Sequence, residues 1–282
     1  MSAYAEQRIP ERVIEGDCRP LPEAVPGVIL RSFASADCGA NGFSTGSAEF
    51  APGAVLAYHW HPCSEAITVV EGIATVLVEG RSYQLSPLDS VHLPAGVAHS
   101  VQNREKGQKM VAHCAFGSAN PARNFGEQNF PDDPRGGGLP REGDPEYVSR
   151  AADRESYELS PGALFSDLFA GRFGSKGICG GYGRFAPGSS LPCHVHEYDE
   201  SITIMEGEAL CLVSGRKYML SGLDTAFVPE GLPHRFLNES GGPMAMIWVY
   251  AGDEPGRTLI DAGYCSGTLG WPPEKSEAKR LE

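Results

Sequence analysis

The stretch 58-YHWHPCSEAITVVEG-72 is written a second time 135 residues later, as 193-CHVHEYDESITIMEG-207. Aligned at that offset, Gly53 to Asn103 and Gly188 to Asn238 share 23 identities over 51 positions with no insertion. The register reaches back through 50-FAPG-53 and 185-FAPG-188 to Pro26-Gly27 and Pro161-Gly162. So long a period is a whole domain and not a solenoid unit. The chain therefore divides into an N-terminal domain over residues 1–120 with an N-terminal extension, a Pro/Gly-rich linker over 121–150, a second copy over 151–255, and an irregular tail over 256–282.

Within each copy, short apolar runs are broken by turn signals. ITVVEGIATVLVEGRSYQLS reads as strands interrupted at Glu71-Gly72 and Glu79-Gly80, and SITIMEGEALCLVSGRKYMLS repeats the plan. The fold class is all-β, a meander of antiparallel strands whose closure into a sandwich or barrel protects its edges.

On a strand, alternate side chains share a face, so His59 and His61 project together, as do His194 and His196. Two imidazoles about 7 Å apart along one face can converge on an ion. Glu65 and Glu200 return a carboxylate to that face after a short turn, and 94-PAGVAHSVQN-103 and 229-PEGLPHRFLN-238 bring His99 and His234 from a later strand. Six of the eight histidines fall in these two groups and correspond under one offset. Three imidazoles and one carboxylate suit a divalent transition metal: Fe, Mn or Ni, with Cu, Co or Zn as further fits.

These residues resemble the cupin superfamily, specifically a bicupin with two tandem double-stranded β-helix (jelly-roll) barrels. The first family motif, G(X)5HXH(X)3-4E(X)6G, is matched by Gly53, His59, His61, Glu65 and Gly72, and again by Gly188, His194, His196, Glu200 and Gly207. The second, G(X)5PXG(X)2H(X)3N, is matched by Pro94, Gly96, His99 and Asn103 and by Pro229, Gly231, His234 and Asn238, with Leu88 and Leu223 in place of its opening glycine. The resemblance covers residues 26–117 and 161–252. It implies one metal per barrel, open coordination positions for substrate, and a homodimer.

Composition narrows the partners. A net charge of −13 and the absence of a Lys/Arg-rich run exclude nucleic acid. The opening residues carry no signal-peptide core, and no run of about 18 apolar residues is present, so a cytoplasmic protein without membrane contact is expected. Eight cysteines without CxxC pairs are read as free thiols.

Parity places Val55, Ala57, Ile67 and Val69 on the metal-facing side of the first copy, and Ser190, Pro192, Ile202 and Ile204 on that of the second. The copies also differ at His92 against Phe227, Ile73 against Glu208 and His113 against Trp248, where an extra His or Glu near a metal could act as a base. Largely apolar pockets suit a small oxygen-bearing organic molecule. The resemblance implies a metal-dependent oxidoreductase, a dioxygenase of the flavonol-cleaving type, with Glu65 or Glu200 as the catalytic proton acceptor. Isomerase or lyase chemistry and a non-catalytic binding protein are the alternatives. Bicupin oxalate decarboxylases carry an arginine three residues before the first motif histidine; Leu56 and Leu191 stand there in this chain.

Overall fold

A computed structural model describes residues 10–21, 25–133 and 138–271. The reading of the extreme termini, residues 1–9 and 272–282, lies outside the described residues. The chain is almost entirely β and forms two jelly-roll barrels.

In the first barrel a six-stranded antiparallel sheet runs in the order Tyr147–Ser149, Ser90–Leu93, Glu65–Glu71, Met110–Phe116, Ser44–Phe50, Val28–Ser32. It faces a five-stranded sheet in the order Asn124–Phe125, Val55–Trp60, His99–Gln102, Ala74–Val78, Arg81–Leu85. The alternating apolar positions, among them Leu30, Phe50, Ile67, Val76 and Val101, point between the sheets and make the core. The second barrel repeats this with Phe165, Phe185, Ile202 and Phe236 in its core.

The barrels exchange their leading strands. Arg12–Ile14 precedes the first barrel but pairs with Thr225–Val228 of the second, and Tyr147–Ser149 precedes the second barrel but pairs with Ser90–Leu93 of the first. Covering each open edge with a strand from the other barrel removes a site of edge-to-edge aggregation.

The larger sheet of the second barrel has seven strands, in the order Arg12–Ile14, Thr225–Val228, Glu200–Glu206, Met244–Tyr250, Cys179–Phe185, Ala163–Phe169, Tyr157–Ser160, and packs back to back on the six-stranded sheet through Phe43, Leu168, Phe169, Phe227 and Ile247. A polar seam crosses this layer: Thr45 Oγ1 lies 2.8 Å from Ser201 Oγ, and His113 Nε2 lies 3.3 Å from Thr203 Oγ1. His92 and His113, candidate bases from the sequence, are both buried on this side, at 1% and 2% exposure. The reason is parity: His92 pairs with Ala66 and His113 with Thr68, whose side chains face away from the barrel interior. Ile73 and Glu208 are exposed, directly after the bends at Gly72 and Gly207.

Where the second motif lacks its glycine, the backbone keeps the glycine conformation. Leu88 and Leu223 have φ of +69° and +73°, left-handed values that cost a branched side chain about 1 kcal/mol or more. Asp89 and Asp224 close the turn by accepting from the amides of Ser86 and Ser221 at 3.0 Å each.

Two expectations for the C-terminal region are corrected. The tail contains a strand, Thr258–Leu259, and a short helix, Ala262–Ser266. Cys193 and Cys265 form a disulfide across 72 residues; the other six cysteines are free thiols. The helix carries Cys265 onto the outer face of the five-stranded sheet, where Tyr264, Leu212 and Trp271 pack around it. Among the described residues no helix is long and apolar enough to cross a membrane.

Candidate metal centres

The two sets of three histidines and one glutamate are brought together as the spacing predicts. Adjacent strands place His59 opposite His99 and His194 opposite His234. His61 and Glu65 flank the turn into Glu65–Glu71, and His196 and Glu200 the turn into Glu200–Glu206. In each set the candidate ligand atoms lie within 4.8 Å of one another, and all eight side chains are buried.

Every imidazole is oriented by a backbone carbonyl. His59 Nδ1 lies 2.8 Å from Ala57 O, His99 Nδ1 3.1 Å from Val97 O and His61 Nδ1 2.7 Å from Ala122 O. In the second barrel the partners are Pro192 O at 2.8 Å, Leu232 O at 2.8 Å and Gly256 O at 2.5 Å. A carbonyl only accepts, so each Nδ1 donates and each ring turns its Nε2 inward. Burial, then the neighbouring imidazole of His99, holds His59 down at about 3, and burial lowers His61 and His194 as well, so these rings are neutral.

Burial would raise Glu65, but His61 and His99 outweigh it and hold the carboxyl down at about 2; Glu200 is lowered for the same reason. Glu65 Oε2 stands 2.9 Å from His99 Nε2 and 3.4 Å from His61 Nε2. Glu200 Oε2 stands 2.7 Å from His234 Nε2 and 3.3 Å from His196 Nε2. Three Nε2 atoms and an ionised carboxylate thus converge in each buried space; His234 Nε2 is hydrogen-bonded to Glu200 Oε2, whereas His61 Nε2, Glu65 Oε2, His99 Nε2 and His196 Nε2 have no hydrogen-bond partner. Such a donor set is costly without a cation and fits a divalent ion.

The carbonyls of Ala122 and Gly256 belong to straps within the linker and the tail. Pro121-Ala122-Arg123-Asn124-Phe125 and Pro255-Gly256-Arg257-Thr258-Leu259 correspond at an offset of 134, and their strands pair with Val55–Trp60 and His194–Val195. The offset drops by one because the loop after Asn238 is shorter: Met110 lies opposite Phe50, but Met244 lies opposite Phe185. For the same reason Trp248 corresponds to Cys114 and not to His113.

Beside the first tetrad is a cavity of about 460 Å³, bordered by His59, His61 and Glu65 and lined by Leu30, Leu56, Ile67, Cys114, Phe116 and Arg123. Ile67 takes its expected place and Val69 is in the core, but Val55 is 47% exposed and Ala57 also faces outward. An irregularity between Leu56 and His59 shifts the pairing with His99–Gln102, inverting the parity and turning Leu56 to the cavity. In the second barrel, Ile202 and Ile204 are core residues, while Ser190 and Pro192 are only half-buried. There Phe165, Trp248 and Tyr250, at the positions of Leu30, Cys114 and Phe116, are buried at 3%, 2% and 3% exposure.

Comparison with known proteins agrees with this architecture. The family model described as Cupin domain matches residues 46–116 and 181–250. No curated protein sequence matches the chain. Among solved structures, oxalate decarboxylase from Bacillus subtilis at pH 4.6 superposes with a TM-score of 0.70 at 17% identity, covering 88% of this chain and 78% of that one. The Lactobacillus farciminis oxalate decarboxylase formate complex gives 0.70 at 17%, covering 88% of each chain. A Bacillus subtilis oxalate decarboxylase structure titled for its Mn(II) centres gives 0.70 at 17%, covering 88% of this chain and 79% of that one.

Proposed function

The chain belongs to the cupin family, and from that premise we propose that it is a metal-dependent enzyme acting on a small oxygen-bearing organic substrate in its N-terminal barrel. The observation that carries this reading is the cavity of about 460 Å³ bordered by His59, His61 and Glu65, where the matched positions of Leu30 and Cys114 carry the larger, buried Phe165 and Trp248 in the second barrel. Its size is within the range of pockets that take drug-sized ligands. His59, His61, Glu65 and His99 hold one divalent ion in this reading, and His194, His196, Glu200 and His234 a second. Manganese is supported among the candidates by the Mn(II) centres of a protein with this fold.

When bound, such an ion supplies Lewis acidity toward a pair of substrate oxygens. The chain supplies the rest. The carbonyl-tethered imidazoles stay fixed, and Leu30, Leu56 and Ile67 exclude water from the reacting atoms. Glu65, ionised and buried, is the group that takes a proton from the substrate. Glu200 occupies the same place in a barrel filled by its own aromatic rings, and its role is to hold the ion.

Of the reaction classes the resemblance implies, lyase or isomerase chemistry has better support than dioxygenation, because the solved structures sharing the fold are titled oxalate decarboxylases. Oxalate itself is disfavoured. Leu56 borders the cavity where those enzymes carry an arginine, and the lining suits a larger, more apolar molecule. Manganese-loaded protein should be offered 2-oxo acids and 1,3-dicarbonyl compounds with and without dioxygen. Turnover that proceeds anaerobically supports this reading. Turnover with one dioxygen consumed per substrate would replace it with the dioxygenase, and metal-dependent binding without turnover would replace it with a binding protein.

A further inference from the structure

The barrels differ at matched positions around the space beside the tetrad. Leu30 lies opposite Ala48 in the first barrel, and the corresponding Phe165 lies opposite Gly183 in the second. Cys114 lies opposite Gly46, and the corresponding Trp248 lies opposite Gly181. The second barrel thus gains two rings; Gly183 in place of Ala48 makes room beside Phe165, and the glycine facing the indole, Gly181, has its counterpart in Gly46. A Cβ on Gly183 would stand 2.8 Å from Phe165 Cε1, and one on Gly181 2.4 Å from Trp248 Cζ2.

Of these two rings, Trp248 packs on a further ring that touches the tetrad. The centroids of Trp248 and Tyr250 are 4.8 Å apart, and Tyr250 lies 4.4 Å from His196. In the first barrel Phe116 corresponds to Tyr250 and lies 5.0 Å from His61, but Cys114 leaves the place of the indole open to the cavity. Trp248 Nε1 is buried with no hydrogen-bond partner, so packing and not polar contact accounts for the indole there. Two barrels with the same frame and the same tetrad therefore differ by aromatic side chains present in one and missing from the other, the indole of Trp248 standing where the first barrel leaves Cys114 at the cavity.

We propose that the substrate of the N-terminal barrel carries a planar aromatic or similarly conjugated ring, seated beside Cys114 and Phe116 where Trp248 sits in the second barrel. The residue at this position decides whether a barrel takes a ligand. The inference rests on the N-terminal barrel being the reactive one. Burying one phenyl ring in such a lining corresponds to about 10- to 100-fold in affinity.

The test is calorimetric binding of phenylpyruvate and pyruvate, which share an oxygen pair and differ by the ring, to the full manganese-loaded chain. In the wild type, phenylpyruvate is expected to bind at least about 10-fold more tightly. Cys114→Trp should lose that preference while keeping its manganese, Leu30→Phe provides an independent filling if that variant misfolds, and Trp248→Ala should gain a second phenylpyruvate site. Equal affinity for the two acids, binding of neither, undiminished preference in the filled variants, or a single site in Trp248→Ala overturns the proposal. Elemental analysis of the same samples separates the two failures: no manganese sinks the metal-enzyme reading, whereas manganese without a ring preference sinks only the aromatic assignment.

Discussion

Glu11 and Glu146 are equivalent residues of the two copies, 135 positions apart, and each is buried in the barrel that its own copy does not form. Glu146 accepts from Arg81 Nε at 2.6 Å and from Tyr83 Oη at 2.5 Å in the first barrel. Glu11 accepts from Arg216 and, at 3.0 Å, from Tyr218 in the second. The exchanged strands are thus anchored by buried carboxylates as well as by backbone pairing.

Glu146→Ala should destabilise the N-terminal barrel by about 1.5–3 kcal/mol, because it removes the short-range partner of a largely buried guanidinium and leaves Arg81 with Glu79 and Asp144, at 3.4 and 3.9 Å. Deleting residues 1–16 should instead loosen the C-terminal barrel, which loses the strand beside Thr225–Val228. Hydrogen exchange resolved by peptide checks both. Deprotection confined to the barrel next in sequence to each altered segment would contradict the exchange.

The pH dependence of folding should carry the mark of the layer between the barrels. Burial holds His92 and His113 at about 4 in the folded protein, against about 6.5 in the unfolded chain. Below pH 6.5 the unfolded chain binds these protons and the folded one does not. Stability is therefore full above that pH and falls down to pH 4, by up to about 3 kcal/mol for each histidine. The double variant His92→Leu with His113→Leu should show a shallower fall in denaturation midpoint between pH 6.5 and 4 than the wild type. Parallel curves would exclude these two histidines as its source.

Cys265→Ser should lower unfolding stability by about 2–4 kcal/mol without reductant, by releasing a long loop in the unfolded chain. With dithiothreitol the variant and the wild type should converge. Thiol titration of the unreduced, denatured wild type should give six equivalents. Eight would show that the bridge does not form.

The tetrads and the two barrels were legible in the sequence because ligand geometry fixes both residue type and spacing. The straps were not. They act through the carbonyls of Ala122 and Gly256, which any residue provides, and a shorter loop after Asn238 broke the register that would have aligned Pro121-x-Arg123 with Pro255-x-Arg257. Strand exchange left only a faint trace, Glu11-x-Val13 against Glu146-x-Val148. The facing of Val55 and Ala57 failed because alternation assumes an unbroken ladder, and the pairing slips between Leu56 and His59. Pairing of Cys193 with Cys265 depends on a 6.0 Å Cα separation created by the docked helix, which spacing along the chain does not reveal.

Metal stoichiometry per chain, by elemental mass spectrometry on protein expressed in manganese-, iron- and nickel-supplemented media, tests the central claim most directly. The wild type should hold close to two ions, one for each tetrad, and His59→Ala and His194→Ala one each, with both variants folded. No bound metal in any medium, or an unchanged content in both variants, would contradict the account.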